Sequence, residues 1–288
     1  MSRLTAADVL RERLGELVRG RRAAAPAPVP AGGGIATRVA PLRAEPLRAG
    51  VEEFLAGGEW RDARGAVFVH ERLRSEIEKP RATGRLEAAE GSHPELAALA
   101  AAGLERALFL DLETGGLASS PVFLAGTMHW NGEDFVLRQY FARHYGEEAA
   151  LLRALHEEAR RFEFLITFNG RSYDVPFLRA RAVIHAERVS LPPQHVDLLH
   201  LSRRRWKGVL PDCRLQSLEL HVCRRRRVGD VPGEEVPGLY HDFVRNGEPW
   251  RLIPVFHHNL LDVLTMADVL RELCRPAPEG LERPTRDR

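Results

Sequence analysis

The chain has 288 residues, 44% of them hydrophobic and 28% charged, with a formal net charge of +2. That balance excludes an intrinsically disordered chain and suits a globular fold with room for one sizeable domain and a smaller one. No apolar run nears the ~20 residues of a membrane-spanning helix, so no membrane partner is expected.

The first twenty residues, MSRLTAADVLRERLGELVRG, lack the apolar core of a signal peptide, and a cytoplasmic location is expected. Leu4, Val9, Leu10, Leu14, Leu17 and Val18 fall along much of one helical stripe, so residues 1–22 read as an N-terminal helix. Such a helix docks on the main body or on a protein partner. Residues 23–48 open with AAAPAPVPAGGG and read as a Pro/Ala/Gly-rich linker. Residues 49–106 read as an accessory region, with a strand at 65–71 (GAVFVHE) and a helix starting at Pro94.

From residue 107 the pattern becomes α/β. A buried strand at 107–110 is followed by strands at 122–130 and 134–141, joined through the hairpin signal Asn131-Gly132. Residues 147–161 read as a helix, 164–168 (FLITF) as a buried strand and 175–185 as a helix. Residues 195–199 read as a short strand or helix start, and 215–222, 236–245 and 254–273 as helices. A strand hairpin followed by alternating helices and strands points to a mixed sheet flanked by helices. The domain is expected over 107–274, with a flexible tail over 275–288.

The chemistry gathers at three places. In ALFLDLETGG (107–116) Asp111 and Glu113 lie two apart on an extended backbone and project to the same side. Burying paired carboxylates is costly unless a cation neutralises them, and hard oxygen ligands suit Mg²⁺ or Mn²⁺. The rival reading is an acidic loop after a strand. Asp174, in NGRSYDVPFL, lies at a helix start, where N-capping is its favoured reading alone. Asn169 reads as a turn residue, and Tyr173, Pro176, Phe177 and Leu178 read as packing residues. In FHHNLLDVLTM (256–266) His258 and Asp262 are four apart and share a helical face, while His257 reaches that face only if the helix starts late.

Of the 42 basic residues only Lys79 and Lys207 are lysine. Two clusters stand out, RRRWK (203–207) and RRRR (224–227). Arg203, Arg205 and Lys207 are candidate phosphate contacts and Trp206 a candidate base-stacking ring, against the plainer reading of a core tryptophan on a solvated helix. RRRR reads more readily as surface charge. Cys213, Cys223 and Cys274 are odd in number and widely spaced, which implies no disulfide framework. Cys213, His221 and Cys223 fit no standard zinc spacing and read as ordinary side chains.

The order Asp-x-Glu after a strand, Asp in a second motif, and His with Asp in a late helix resembles the DEDD (DnaQ-like) 3′–5′ exonuclease superfamily, which has a ribonuclease-H-like fold. DLETGGL, FNGRSYDVPFL and HNLLDVLTM most resemble its YprB-like branch, as do LPDCRLQSLE and DVPGEEVPGLYHDFVR. The resemblance implies a mixed five-stranded sheet flanked by helices, with a small N-terminal accessory region. It implies that Asp111, Glu113, Asp174 and Asp262 hold two divalent ions, Mg²⁺ or Mn²⁺, and that a histidine takes a proton from the attacking water. The spacing of the superfamily's histidine-type branch selects His257 and that of its tyrosine-type branch selects His258; the helical geometry and the HNxxD arrangement favour His258, with His257 as the second choice. Asp197 resembles a structural acid of this fold, and Glu219 is expected on the exposed side of its helix. The expected activity is two-metal hydrolysis of single-stranded DNA or RNA from a 3′ end. The rivals are a catalytically weak nucleic-acid-binding module and an endonuclease or junction-cleaving enzyme on the same fold.

Overall fold

A computed structural model describes residues 50–79, 86–116 and 119–276. The helix expected over 1–22, with its prospective partner surface, the linker over 23–48 and the tail from residue 277 lie outside the described residues.

Seven strands form one sheet: β1 (Gly58–Asp62), β2 (Gly65–Leu73), β3 (Ala107–Thr114), β4 (Val122–Trp130), β5 (Phe135–Phe141), β6 (Phe164–Thr167) and β7 (Gln194–Asp197), in the order β1-β2-β5-β4-β3-β6-β7. The expected five strands are thus corrected to seven. The two additional strands form an antiparallel hairpin, and β2 pairs antiparallel with β5, Phe68 opposite Phe141 and Val69 opposite Tyr140. The residues expected in an accessory region therefore extend the main sheet. The physical reason is that Val67 and Phe68 are both fully buried, so β2 needs cover on both faces.

The helices are α1 (Arg74–Ile77), α2 (Pro94–Ala102), α3 (Glu148–Ala159), α4 (Asp174–Ile184), α5 (Leu198–Trp206), α6 (Leu215–His221), α7 (Val236–Asn246) and α8 (Ile253–Cys274). β3 is the hinge of the topology: it pairs antiparallel with β4 on one side and parallel with β6 on the other. Its side chains alternate between two cores. Ala107 and Phe109 pack with Leu260, Leu261 and Leu264 of α8, whereas Leu110 packs with Leu151 and Leu155 of α3 and Leu178 of α4. Burying a side chain of this size stabilises the fold by ~1.5–3 kcal/mol.

The alternation also directs the chemistry. Asp111 and Glu113 have the parity of Phe109 and leave β3 on the α8 side. The strand's first four residues are buried and its last four half-buried, so the carboxylates stand where β3 leaves the core. A register shift between Glu113 and Thr114 marks the same point. Irregularities of this kind re-aim side chains at strand ends.

Candidate functional site

The floor of the site is built by a close approach of α8 to the sheet. Asn259, fully buried, donates from Nδ2 to Asp111 Oδ2 at 2.9 Å, while its Oδ1 accepts from Gln139 Nε2 at 3.0 Å. Gln139 Nε2 also donates to the Phe256 carbonyl at 2.8 Å. Asp111 faces Gly126 across the β3–β4 ladder, and a Cβ on Gly126 would overlap the Asn259 carboxamide. The glycine is therefore what lets α8 reach the first carboxylate.

Asp174 is the first residue of α4, and the preceding Tyr173 makes no side-chain cap. The Asp174 carboxylate accepts from the backbone N–H of Leu112 at 3.1 Å. This bond ties the start of α4 to the end of β3, between Asp111 and Glu113.

α8 runs unbroken from Ile253, so both histidines lie inside it. His258 Nδ1 is 2.8 Å from Asp230 Oδ1 and its Nε2 is 3.5 Å from Asp262 Oδ2. His257 points elsewhere, its Nε2 3.3 Å from the Val228 carbonyl. Asp262 also accepts from the Arg227 guanidinium, which donates in addition to Glu219 and, at 3.0 Å, to Asp230 Oδ2. Arg227 and His258 thus both bridge Asp230 and Asp262, closing a ring of alternating charge.

The electrostatics follow from burial and crowding. Burial, with the charges of Asp262, Glu113 and Asp174, holds the Asp111 carboxyl well above the usual carboxylate range. Burial raises Glu113 to about 8, against the pull of His258, with Asp262 and Asp174 adding to the rise. Burial likewise raises Asp174 to about 7, although two backbone N–H groups favour its charged form. Asp262 is raised by burial despite Arg227 and His258 beside it. For His258 burial disfavours the charged ring, but Asp230, Asp262 and Glu113 outweigh it and push the imidazole up to about 9.

These four groups are all hard oxygen donors whose ionisation is suppressed mainly by burial and by one another, a donor set that suits Mg²⁺ or Mn²⁺. Among the described residues no three His, Cys, Asp or Glu side chains already converge as a coordination sphere. Asp262 is engaged by Arg227, so its Oδ1 is shared with a guanidinium.

Several expected roles are corrected by placement. Trp206 is buried in the core, and its ring has no open face for a base. Arg205 donates to the carbonyls of Leu273, Arg275 and Pro276 at 2.8–2.9 Å and so caps the C-terminus of α8. Arg203 and Lys207 are exposed. Glu219 is buried, not exposed, because it receives Arg227. Tyr173, expected to pack, is 70% exposed, and Pro176 is exposed as well. Asp197 is buried and anchors backbone, accepting from the N–H groups of Asn169, Arg171 and Leu199 at 2.9–3.1 Å. Asn169 takes the left-handed conformation of a turn, at φ 66°.

Arg227, Asp230, Asn259, Gln139 and Gly126 were not singled out as site residues by sequence reasoning. The alternation within RRRR was the available signal: on an extended segment, Arg225 and Arg227 share a side. Gly126 inside an apolar strand was a second, since such a glycine often marks a close backbone approach.

A family model described as RNase_H superfamily matches residues 108–274, more than half of the chain. The uncharacterized protein YprB of Bacillus subtilis (strain 168) is 34% identical over 163 residues, 55% of this chain and 39% of that relative, so the chain spans well under half of its length. The family B DNA polymerase from the hyperthermophilic archaeon Pyrobaculum calidifontis matches with a TM-score of 0.47 at 17% identity, covering 58% of this chain and 24% of the polymerase.

Proposed function

The chain belongs to the RNase H superfamily, and from that premise we propose that it is a DEDD-type exonuclease, hydrolysing single-stranded DNA or RNA from the 3′ end with two divalent ions. One observation carries the reading: the end of β3, the start of α4 and the middle of α8 are tied together around the carboxylates. Asn259 of α8 donates to Asp111, and the Leu112 N–H, between Asp111 and Glu113, donates to Asp174, with Asp262 one helical turn beyond His258. The four carboxylates are the residues that would hold the ions. When bound, Mg²⁺ or Mn²⁺ would supply Lewis acidity toward the phosphodiester and its attacking water.

The remaining steps belong to the chain. Asp230 accepts a hydrogen bond from Nδ1 of His258 and so turns Nε2 toward Asp262. Without cations the carboxylates keep the ring charged, and it would serve as the base for the attacking water only when cations held by those carboxylates offset their charge and free Nε2. Asn259 fixes the rotamer of Asp111, and the Leu112 N–H that of Asp174. With Trp206 buried, Tyr173 becomes the stacking surface for a terminal base, being an exposed ring next to Asp174.

A second reading, the catalytically weak nucleic-acid-binding module, draws on the guanidinium already held by Asp262. A cleavage assay separates the readings. A 5′-labelled single strand, DNA or RNA, is incubated with the full chain and Mn²⁺, Mg²⁺ or EDTA. The exonuclease produces a ladder shortening from the 3′ end with metal and none with EDTA. A single internal product assigns an endonuclease, and binding without cleavage under either metal assigns the module.

A further inference from the structure

The RRRR run lines a cleft whose Arg227 and Asp230 are hydrogen-bonded to residues of the acidic site. α6 ends at His221, and the chain turns back through Arg224, which adopts the left-handed conformation at φ 53°, while the Arg225 N–H donates to the Glu219 carbonyl at 2.9 Å. Beyond that turn the residues alternate in direction. Arg225 faces inward, donating to Asp268 Oδ2 at 2.7 Å and Glu78 Oε1 at 3.0 Å. Arg227 faces inward onto Asp262, Glu219 and Asp230. Arg226, between them, is exposed and has no carboxylate partner among the described residues.

Arg226 lies on the wall of a cleft of about 620 Å³, which Glu219, Leu220, Arg225, Arg227 and Asp230 also line; Arg225 and Arg227 reach it with their guanidinium groups already held by carboxylates. Arg227 and Asp230 on its wall are the residues that hold Asp262 and His258, which places the cleft beside the charge ring. Leu220, on the same cleft, is 51% exposed, an apolar surface at its rim.

We propose that this cleft holds the phosphate backbone of the single strand whose end lies in the acidic site, with Arg226 as its phosphate contact. The inference rests on the nuclease reading of that site. Arg225 and Arg227 neutralise the acids of α6 and α8 and fix the backbone on both sides of Arg226. The cation is therefore presented on an ordered segment, which reduces the entropy lost when it binds a phosphate. One guanidinium on a single strand contributes about 0.7 to the slope of log affinity against log salt.

The test measures binding of a labelled single-stranded oligonucleotide to the full chain in EDTA, across a salt series. Arg226→Ala should weaken binding about fivefold or more at low salt and flatten the slope by about 0.7, and Arg226→Lys should keep the slope. Arg188→Ala, which removes the same charge outside the cleft, should leave the slope unchanged. A bromouracil-substituted strand should photocrosslink to the peptide spanning residues 216–232. An unchanged slope in Arg226→Ala, or crosslinks confined to other peptides, overturns the cleft assignment while a 3′ ladder from the wild type leaves the nuclease reading intact. A wild type that neither binds nor cuts overturns both.

Discussion

At the scale of single residues, the two adjacent histidines have different tasks. His258 lies between Asp230 and Asp262, whereas among the described residues the His257 ring meets the Val228 carbonyl. His258→Ala is expected to lower turnover by ~10²–10⁴-fold with little change in strand affinity, and His257→Ala to have a mild effect. Single-turnover rates under saturating strand check the ranking, and the reverse order would reassign the base. Gly126 makes an equally sharp residue-scale test. Gly126→Ala drives a methyl into the Asn259 carboxamide, so it should cost ~1–3 kcal/mol and weaken Mn²⁺ binding together. Thermal melts with and without Mn²⁺ report both effects; a variant as stable and as metal-responsive as the wild type would refute the close-approach argument. Asp111, Glu113 and the His258–Asp262 pair were legible in the sequence because strand and helix periodicities put each pair on one face. Asn259 was not, since a carboxamide in an apolar helix carries no sign of which strand it will meet.

At the scale of elements, β3 and α8 carry the site, and the segment between α6 and α7 straps across them. Arg225 binds Asp268 and Arg227 binds Asp262, two acids on α8 six positions apart. Replacing Arg227 by Met leaves buried Glu219 without its cation and Asp262 with His258 alone. Losing one partner of a buried ion pair costs ~3–5 kcal/mol, which lowers the melting temperature by roughly 10 °C in a domain of this size. A melting temperature within a degree or two of the wild type would show that the strap is dispensable. Most strands and helices from residue 107 onward were legible from apolar runs and the Asn-Gly turn, whereas α5 was expected only as a short strand or helix start at 195–199. β1 was not, because GEWRD lacks the apolar alternation of a half-buried strand and is held by pairing with β2. Trp206 and Glu219 show the same limit. A tryptophan beside arginines and a glutamate on a short helix reveal their burial only when α8 and the arginine strap come together around them.

At the scale of the whole molecule, the acidic field costs stability that cations should restore. Glu113 and Asp174, raised to about 8 and about 7, hold protons in the folded chain that the unfolded chain releases near pH 4. Their effect is that stability falls as pH rises from about 4 to about 8. His258, raised to about 9, adds stability that is fully present below about pH 6.5 and lost as pH rises through 9. Asp230, held below its ordinary value, acts oppositely but only in the acid range. His70, His129, His195 and His257, each lowered chiefly by burial, also act oppositely, up to about pH 6.5. The metal-free chain should therefore melt lower at about pH 8.5 than at about pH 7, and saturating Mg²⁺ should raise the melting temperature most at the higher pH. The central claim is that Asp111, Glu113, Asp174 and Asp262 act together as one metal-holding group, and its most direct test is uptake of Mn²⁺. Titration followed by the electron paramagnetic resonance signal of free Mn²⁺ should show the wild type removing up to two ions per chain, and both Asp111→Asn and Asp174→Asn failing to do so. No uptake by the wild type, or uptake that neither substitution reduces, would contradict it.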